Sequence, residues 1–138
     1  MKKEMNNKGF SLVELIIVIA IMAVLIGVLA PQYLKYVNNS KVSTDITNAQ
    51  EIATNFNVAM ADGASDVTGT FTGAAGSDTN IPASVKVTMP TWPVCKLTAG
   101  ADWSVTVGSN GVSAITLGGT PIYPNPEAAG GYYTVNHK

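Results

Sequence analysis

Few side chains in this sequence have the type and spacing to do chemistry. The single histidine is His137, beside the C-terminus, and the single cysteine is Cys95. Catalytic triads that need an internal imidazole are excluded, as are an intrachain disulfide and a Cys-rich metal site. Asp62, Asp66 and Asp78 could offer oxygens to calcium, but they lack the dense D-x-D-x-D-G spacing of a preformed loop, and solvated acids are the simpler reading. The glycines of GTFTG and GVSAITLGG lie in strand-like or loop contexts rather than before a helix, so they do not read as a phosphate cradle. Asn38-Asn39-Ser40 matches a glycosylation triplet, a pattern common by chance. No catalytic residue, metal set or cofactor is expected. What remains is one carboxylate in an unusual place. Glu14 lies in a 21-residue apolar run, Phe10 to Ala30, whose only other polar member is Ser11.

The chain that must position Glu14 has 138 residues, enough for one domain and an extra element. Its eight lysines, without arginine, face nine acids for a net charge of −1, and charged residues are 12% of the total. No basic patch of the nucleic-acid type exists, so binding DNA or RNA by charge is not expected. Before the apolar run stand Lys2, Lys3 and Lys8 against Glu4, which favours keeping that end in the cytoplasm. As a helix the run would span about 32 Å, the thickness of a bilayer core. It is longer than the apolar stretch of a secretory signal, and Pro31 follows its one small-residue site, Val28-Leu29-Ala30. A plain membrane anchor fits the length but gives no reason for Glu14, because a carboxylate in a membrane helix costs on the order of a few kcal/mol and usually has a function. The bland alternative is that Glu14 snorkels to the headgroups.

Lys8-Gly9-Phe10-Ser11-Leu12-Val13-Glu14-Leu15, followed by an unbroken apolar stretch and Pro31, resembles the class III signal of type IV prepilins. The resemblance covers residues 8 to about 36 and is only architectural beyond. It implies that a prepilin peptidase cuts between Gly9 and Phe10, removing the leader 1–9, and that Phe10 becomes N-methylphenylalanine. It also implies that Glu14 neutralises the N-terminal ammonium of a neighbouring subunit, and that the pilus assembly platform and its ATPase machinery are partners. Elementary electrostatics agrees with that role. Cleavage would leave a positive amine at the edge of an apolar segment, and pairing it with a carboxylate offsets the desolvation of both.

Beyond Pro31, the apolar positions Val42, Ile46, Ala49, Ala53, Phe56 and Met60 recur every three or four residues, an amphipathic helix period. Asp62-Gly63 supplies a stop, with Gly63 as C-cap. One helix is therefore expected from 10 to 61, about 78 Å long, with a hydrophobic transmembrane and polymerisation half (10–36) and an amphipathic half (37–61). Gly27 and Pro31 are its weak points, because Pro31 crowds the carbonyl of Gly27. A mild kink and local unwinding on assembly, the latter implied by the resemblance, both remain open. Tyr33 and Tyr36, with Phe10 and Phe56, place aromatics along this helix; packing is the expected role, although such aromatics in similar pilins have been proposed to carry electrons.

Residues 62–138 read as a β-rich head. Residues 62–80 read as an exposed loop, and Val85–Met89, Trp103–Val107 and Val112–Leu117 as strands. Gly108-Ser109-Asn110-Gly111 is a hairpin signal between the last two. Thr120–Tyr123 and Tyr132–Val135 are shorter strand candidates, and five prolines between Pro90 and Pro126 confine the strands to short pieces. The expected fold class is α+β: a long N-terminal helix whose C-terminal half packs on a three- to four-stranded antiparallel sheet. Cys95 is expected to be a buried small hydrophobe, with a reactive surface thiol as the alternative. The resemblance implies a disulfide-closed C-terminal loop in many relatives, which this chain cannot form.

The function this implies is a structural subunit of a type IV pilus, a helical homopolymer used in adhesion, motility or related surface roles. The precursor would cross the cytoplasmic membrane once with its N-terminus inside, and the assembled product would be an extracellular filament. The nearest rival is a major pseudopilin of a type II secretion system; a calcium-bound C-terminal loop would favour it, and GGYYTVNHK has no acidic cluster. A single-pass membrane enzyme lacks a catalytic constellation.

Overall fold

A computed structural model describes residues 9–137. The expected leader 1–9 lies, apart from Gly9, outside the described residues. The first element, α1, is a 50-residue helix, Leu12–Ala61, which runs through Gly27 and Pro31 without a break. Ser11 and Glu14 start it with a capping box: the Ser11 amide donates to Glu14 Oε2 at 2.9 Å and the Glu14 amide to Ser11 Oγ at 3.3 Å. The helix ends as its Asp-Gly signal predicts. Gly63 adopts φ +86°, and the Gly63 and Ala64 amides return to the carbonyls of Met60 and Ala59 at 3.0 and 3.1 Å, the paired bonds of a Schellman cap.

The chain divides into two compact units at Tyr36/Val37. In the first unit, every described residue up to Tyr36 is exposed. The helix is long and apolar enough to cross a membrane, and none of its most apolar window is buried.

The second unit is an α+β head. Its strands are β1 (Gly69–Ala74), β2 (Asp102–Gly108), β3 (Gly111–Leu117) and β4 (Thr120–Tyr123). They form one antiparallel sheet in the order β1-β2-β3-β4. Two short helices, α2 (Ala83–Lys86) and α3 (Tyr132–Asn136), complete it. Alternation sends Trp103, Val105, Val107, Ile115, Leu117 and Ile122 into the core, where they meet Val42, Ala49, Ile52, Ala53 and Phe56 of α1. The opposite face carries Thr70, Thr72, Ser104 and Thr106, with cross-strand hydroxyl contacts between Thr72 and Ser104 at 3.3 Å and between Thr70 and Thr106 at 3.5 Å. Phe56 anchors the helix side, with ring centroids 5.4 Å from Phe71 and 6.2 Å from Trp92.

The expected strands at 103–107, 112–117 and 120–123 are present, and β2 and β3 turn through Ser109-Asn110. Three expectations are corrected. Val85–Met89 is not a strand: it is α2 followed by a turn, with the Met89 amide bonded to the Val85 carbonyl at 2.9 Å. Val85 and Met89 are buried and Val87 is exposed; a spacing of four puts two residues on one face of a helical turn as readily as on one face of a strand. Tyr132–Val135 is likewise helical, as α3. The stretch 62–80 is not all loop, because β1 lies within it and supplies the fourth strand.

Gly73 in β1 is a steric requirement. A Cβ there would collide with the Trp92 indole nitrogen and the Thr79 carbonyl, which are themselves hydrogen-bonded at 2.8 Å. Gly73→Ala is expected to destabilise the head by about 1–3 kcal/mol through overpacking. Thermal unfolding followed by the near-ultraviolet signal of the tryptophans measures it, and an unchanged midpoint would show that Trp92 is not fixed as described.

Candidate functional site

Two carboxylates stand out, one in each unit. In the first unit Gly9 and Phe10 are exposed, Phe10 at 90%. One residue on, the capping box holds the Glu14 carboxylate against the Ser11 amide. Gly9, Phe10 and Glu14 are thus close in sequence and accessible together, at the edge of the apolar helix face. Gly27 has open space around it, with nothing within 4 Å of where a Cβ would lie. Tyr33 and Tyr36 are exposed, whereas Phe56 belongs to the core of the head.

In the second unit the sequence reading missed Asp45, which is fully buried. Its Oδ1 accepts the Lys96 amide at 2.7 Å. Its Oδ2 accepts the Leu97 amide at 3.1 Å, the Tyr132 hydroxyl at 2.8 Å and the Cys95 thiol at 3.3 Å. A buried carboxylate requires such partners, and here four donors converge on it. The signal was present in the spacing: Val42, Asp45, Ala49, Ile52 and Phe56 follow one helical row, all buried. A carboxylate in that row has to be satisfied internally.

Cys95 is buried, as expected, but it acts as a donor to Asp45 and accepts the Thr98 amide at 3.3 Å. Burial pushes its thiol above the ordinary range, and the Asp45 carboxylate adds to the shift. The Tyr132 hydroxyl is raised for the same two reasons, burial first. Both groups therefore stay protonated, as donors to Asp45 must.

The structure does not gather Asp62, Asp66 and Asp78 into one site; among the described residues no group of three or more metal-ligating side chains forms. Asp66 accepts the Ser84 hydroxyl at 2.6 Å and the Ser84 amide at 3.2 Å, and Asp78 pairs with Lys86 at 2.9 Å. The Asn38 side-chain amide of the glycosylation triplet donates to the Asn136 carbonyl at 2.8 Å.

Residues 5–30 match the family model described as the prokaryotic N-terminal methylation motif. The chain is 37% identical over 57 residues to a type IV major fimbrial protein, FimA, of Dichelobacter nodosus, covering 41% of this chain and 36% of that one. It is 37% identical over 72 residues to a fimbrial protein of Moraxella nonliquefaciens, covering 52% of this chain and 47% of that one. The match thus spans between about a third and a half of the length of these relatives. No solved structure matches. The resemblance to type IV prepilins read from residues 8 to 36 is borne out by both comparisons, and the architecture of long helix and antiparallel sheet agrees with it.

The acids of the head give a pH dependence with a definite sign. Hydrogen bonds from Ser84, side chain first, lower the Asp66 carboxyl below its ordinary value, and the Lys86 hydrogen bond and charge lower Asp78. A carboxyl depressed in the folded state adds stability above the unfolded value, and that stability is lost as pH falls through the folded one. The melting temperature of the head is therefore expected to drop on acidification below about pH 4, and Asp66→Asn should flatten that drop. An equal acid sensitivity in the variant would remove Asp66 from the explanation.

Proposed function

We propose that this chain is the precursor of a type IV pilus subunit, and that its N-terminal segment carries both the processing site and the assembly contact. The observation that carries the proposal is the exposed Ser11–Glu14 capping box at the head of an entirely exposed apolar helix face, inside the matched methylation motif. The lysines at 2, 3 and 8 hold the leader on the cytoplasmic side while the helix spans the membrane. The prepilin peptidase hydrolyses the Gly9–Phe10 peptide bond, which leaves a carboxylate on the leader and an ammonium on Phe10. N-methylation of that amine retains its charge.

Assembly then moves the apolar face from lipid into a bundle of like helices. At that point the Phe10 ammonium and a neighbour's Glu14 must leave water together. At ~4 Å and an effective dielectric near 20 their attraction is about 4 kcal/mol, which offsets part of the desolvation. A subunit docked out of register would bury both charges unpaired, so the pair also selects the axial position, as a buried polar residue does in coiled coils. Gly27 and Pro31 give the helix a segment that can unwind when subunits pack. The assembly platform and its ATPase supply the work of extraction from the membrane.

A pseudopilin of a type II secretion system would use the same segment. Two observations favour the pilus: the relatives named above are fimbrial proteins, and Glu127 is the one acid after Asp102.

Two variants separate the charge of Glu14 from its capping role. Glu14→Gln keeps a side chain able to complete the capping box but removes the charge, whereas Glu14→Ala removes both. Both are expected to be cleaved normally and to lower the yield of sheared filaments about tenfold or more, because each leaves the Phe10 ammonium unpaired. Filament yield is read by electron microscopy and immunoblot. Filaments of Glu14→Gln at the yield of the native chain would overturn the ion-pair role.

A further inference from the structure

We propose that the C-terminal segment 124–137 is a strap held on the head by a polar latch at Asp45, and that the latch opens while the sheet stays folded. This goes beyond the pilus reading and does not depend on it. The strap's apolar hold is confined to one place, Tyr132 in the core and the half-buried Tyr133 packed against it; of residues 124–137 only Gly131 and Tyr132 are buried. With one cysteine in the sequence it has no internal disulfide to fix it. Besides the Tyr132 ring, what joins it to α1 is a pair of hydrogen bonds long-range in sequence. Tyr132 donates to Asp45 at 2.8 Å across 87 residues, and the Asn38 amide donates to Asn136 at 2.8 Å across 98. The same Asp45 carboxylate pins the segment ahead of β2, through the Lys96 and Leu97 amides. One side chain therefore fastens two otherwise separate pieces of chain to the helix.

The strap is also tied within itself, so it is built to move as a unit. The Tyr133 amide reaches the Pro126 carbonyl at 2.9 Å, the Gly131 amide the Ala128 carbonyl at 2.7 Å, and the Thr134 hydroxyl the Ala128 carbonyl at 2.8 Å. A cavity of about 140 Å³, lined by Cys95, Leu117, Thr120, Tyr132 and Asn136 among others, lies between strap and sheet. Packing there is incomplete, and elements with few buried contacts open locally at lower free energy than the whole unit. Cys95 Sγ sits 4.0 Å from the Tyr132 hydroxyl and is buried, so it lies beneath the strap and becomes accessible when the strap lifts.

That position makes Cys95, the sole thiol, a reporter of the latch. The full chain in detergent micelles is treated with a maleimide under native conditions, and the labelling rate is compared among four forms. Tyr132→Phe removes one latch bond, Asp45→Asn weakens the acceptor, and Ile115→Val destabilises the sheet without touching the strap. Tyr132→Phe and Asp45→Asn are expected to label about ten- to a hundredfold faster than the native chain. Ile115→Val is expected to stay near the native rate, even where its melting temperature falls as far as that of Tyr132→Phe. Chymotryptic cleavage at Tyr132 or Tyr133 should rise together with labelling in Asp45→Asn. An unchanged rate in Tyr132→Phe would overturn the latch. So would equal acceleration in Ile115→Val at a matched loss of melting temperature, because exposure of Cys95 would then follow global unfolding. If Asp45→Asn does not fold, the comparison of Tyr132→Phe with Ile115→Val decides alone.

Discussion

From Leu12 to Tyr36 the helix has no cover of its own, and most of what it exposes to Ala30 is leucine, isoleucine, valine, methionine and alanine. Apolar surface of this extent in water marks a face that has to be buried elsewhere, in lipid or against other chains. The charge placement follows from that constraint. Lysines stand ahead of the run and a single carboxylate at its leading edge, where the capping box gives it a local partner. The match to the N-terminal methylation motif, residues 5–30, falls on this segment.

Residues from Val37 onward solve a different problem with the same helix. The apolar positions narrow to one stripe, and the sheet covers it. Glu14 and Asp45 show how the same functional group is handled in the two settings. Glu14 is exposed and accepts one backbone amide. Asp45 is enclosed and surrounded by four donors, so its charge is spent on holding loop 95–97 and the C-terminal segment in place. In a head with short strands and a single cysteine, such a hub does work that apolar burial cannot do for segments rich in Pro, Gly and Ala.

The long helix, its Gly63 stop, the hairpin at 108–111 and the central strands were legible because each rests on a local signal: period, cap or turn chemistry. The N-terminal segment was legible as a motif, and residues 5–30 match the methylation-motif family model. The failures share a physical cause. Val85, Val87 and Met89 satisfy a period of two and a helical spacing of four at once, and Pro82 just before them favours a helical start. Gly69 and Gly73 disguised β1, whose glycine is demanded by the close approach of Trp92 from a distant part of the chain. Asp45 was hidden for the reverse reason. A polar residue looks like the solvent side of a helix unless its row is counted, and its donors lie 50 or more residues away.

The most direct test of the proposed function is intact mass together with N-terminal sequencing of the protein sheared from the surface of cells that make it. A chain that begins at N-methylated Phe10 and is recovered in long filaments is the expected result. A chain that begins at Met1 and stays in the membrane fraction would contradict it, because neither the Gly9–Phe10 site nor the Glu14 contact would then be in use.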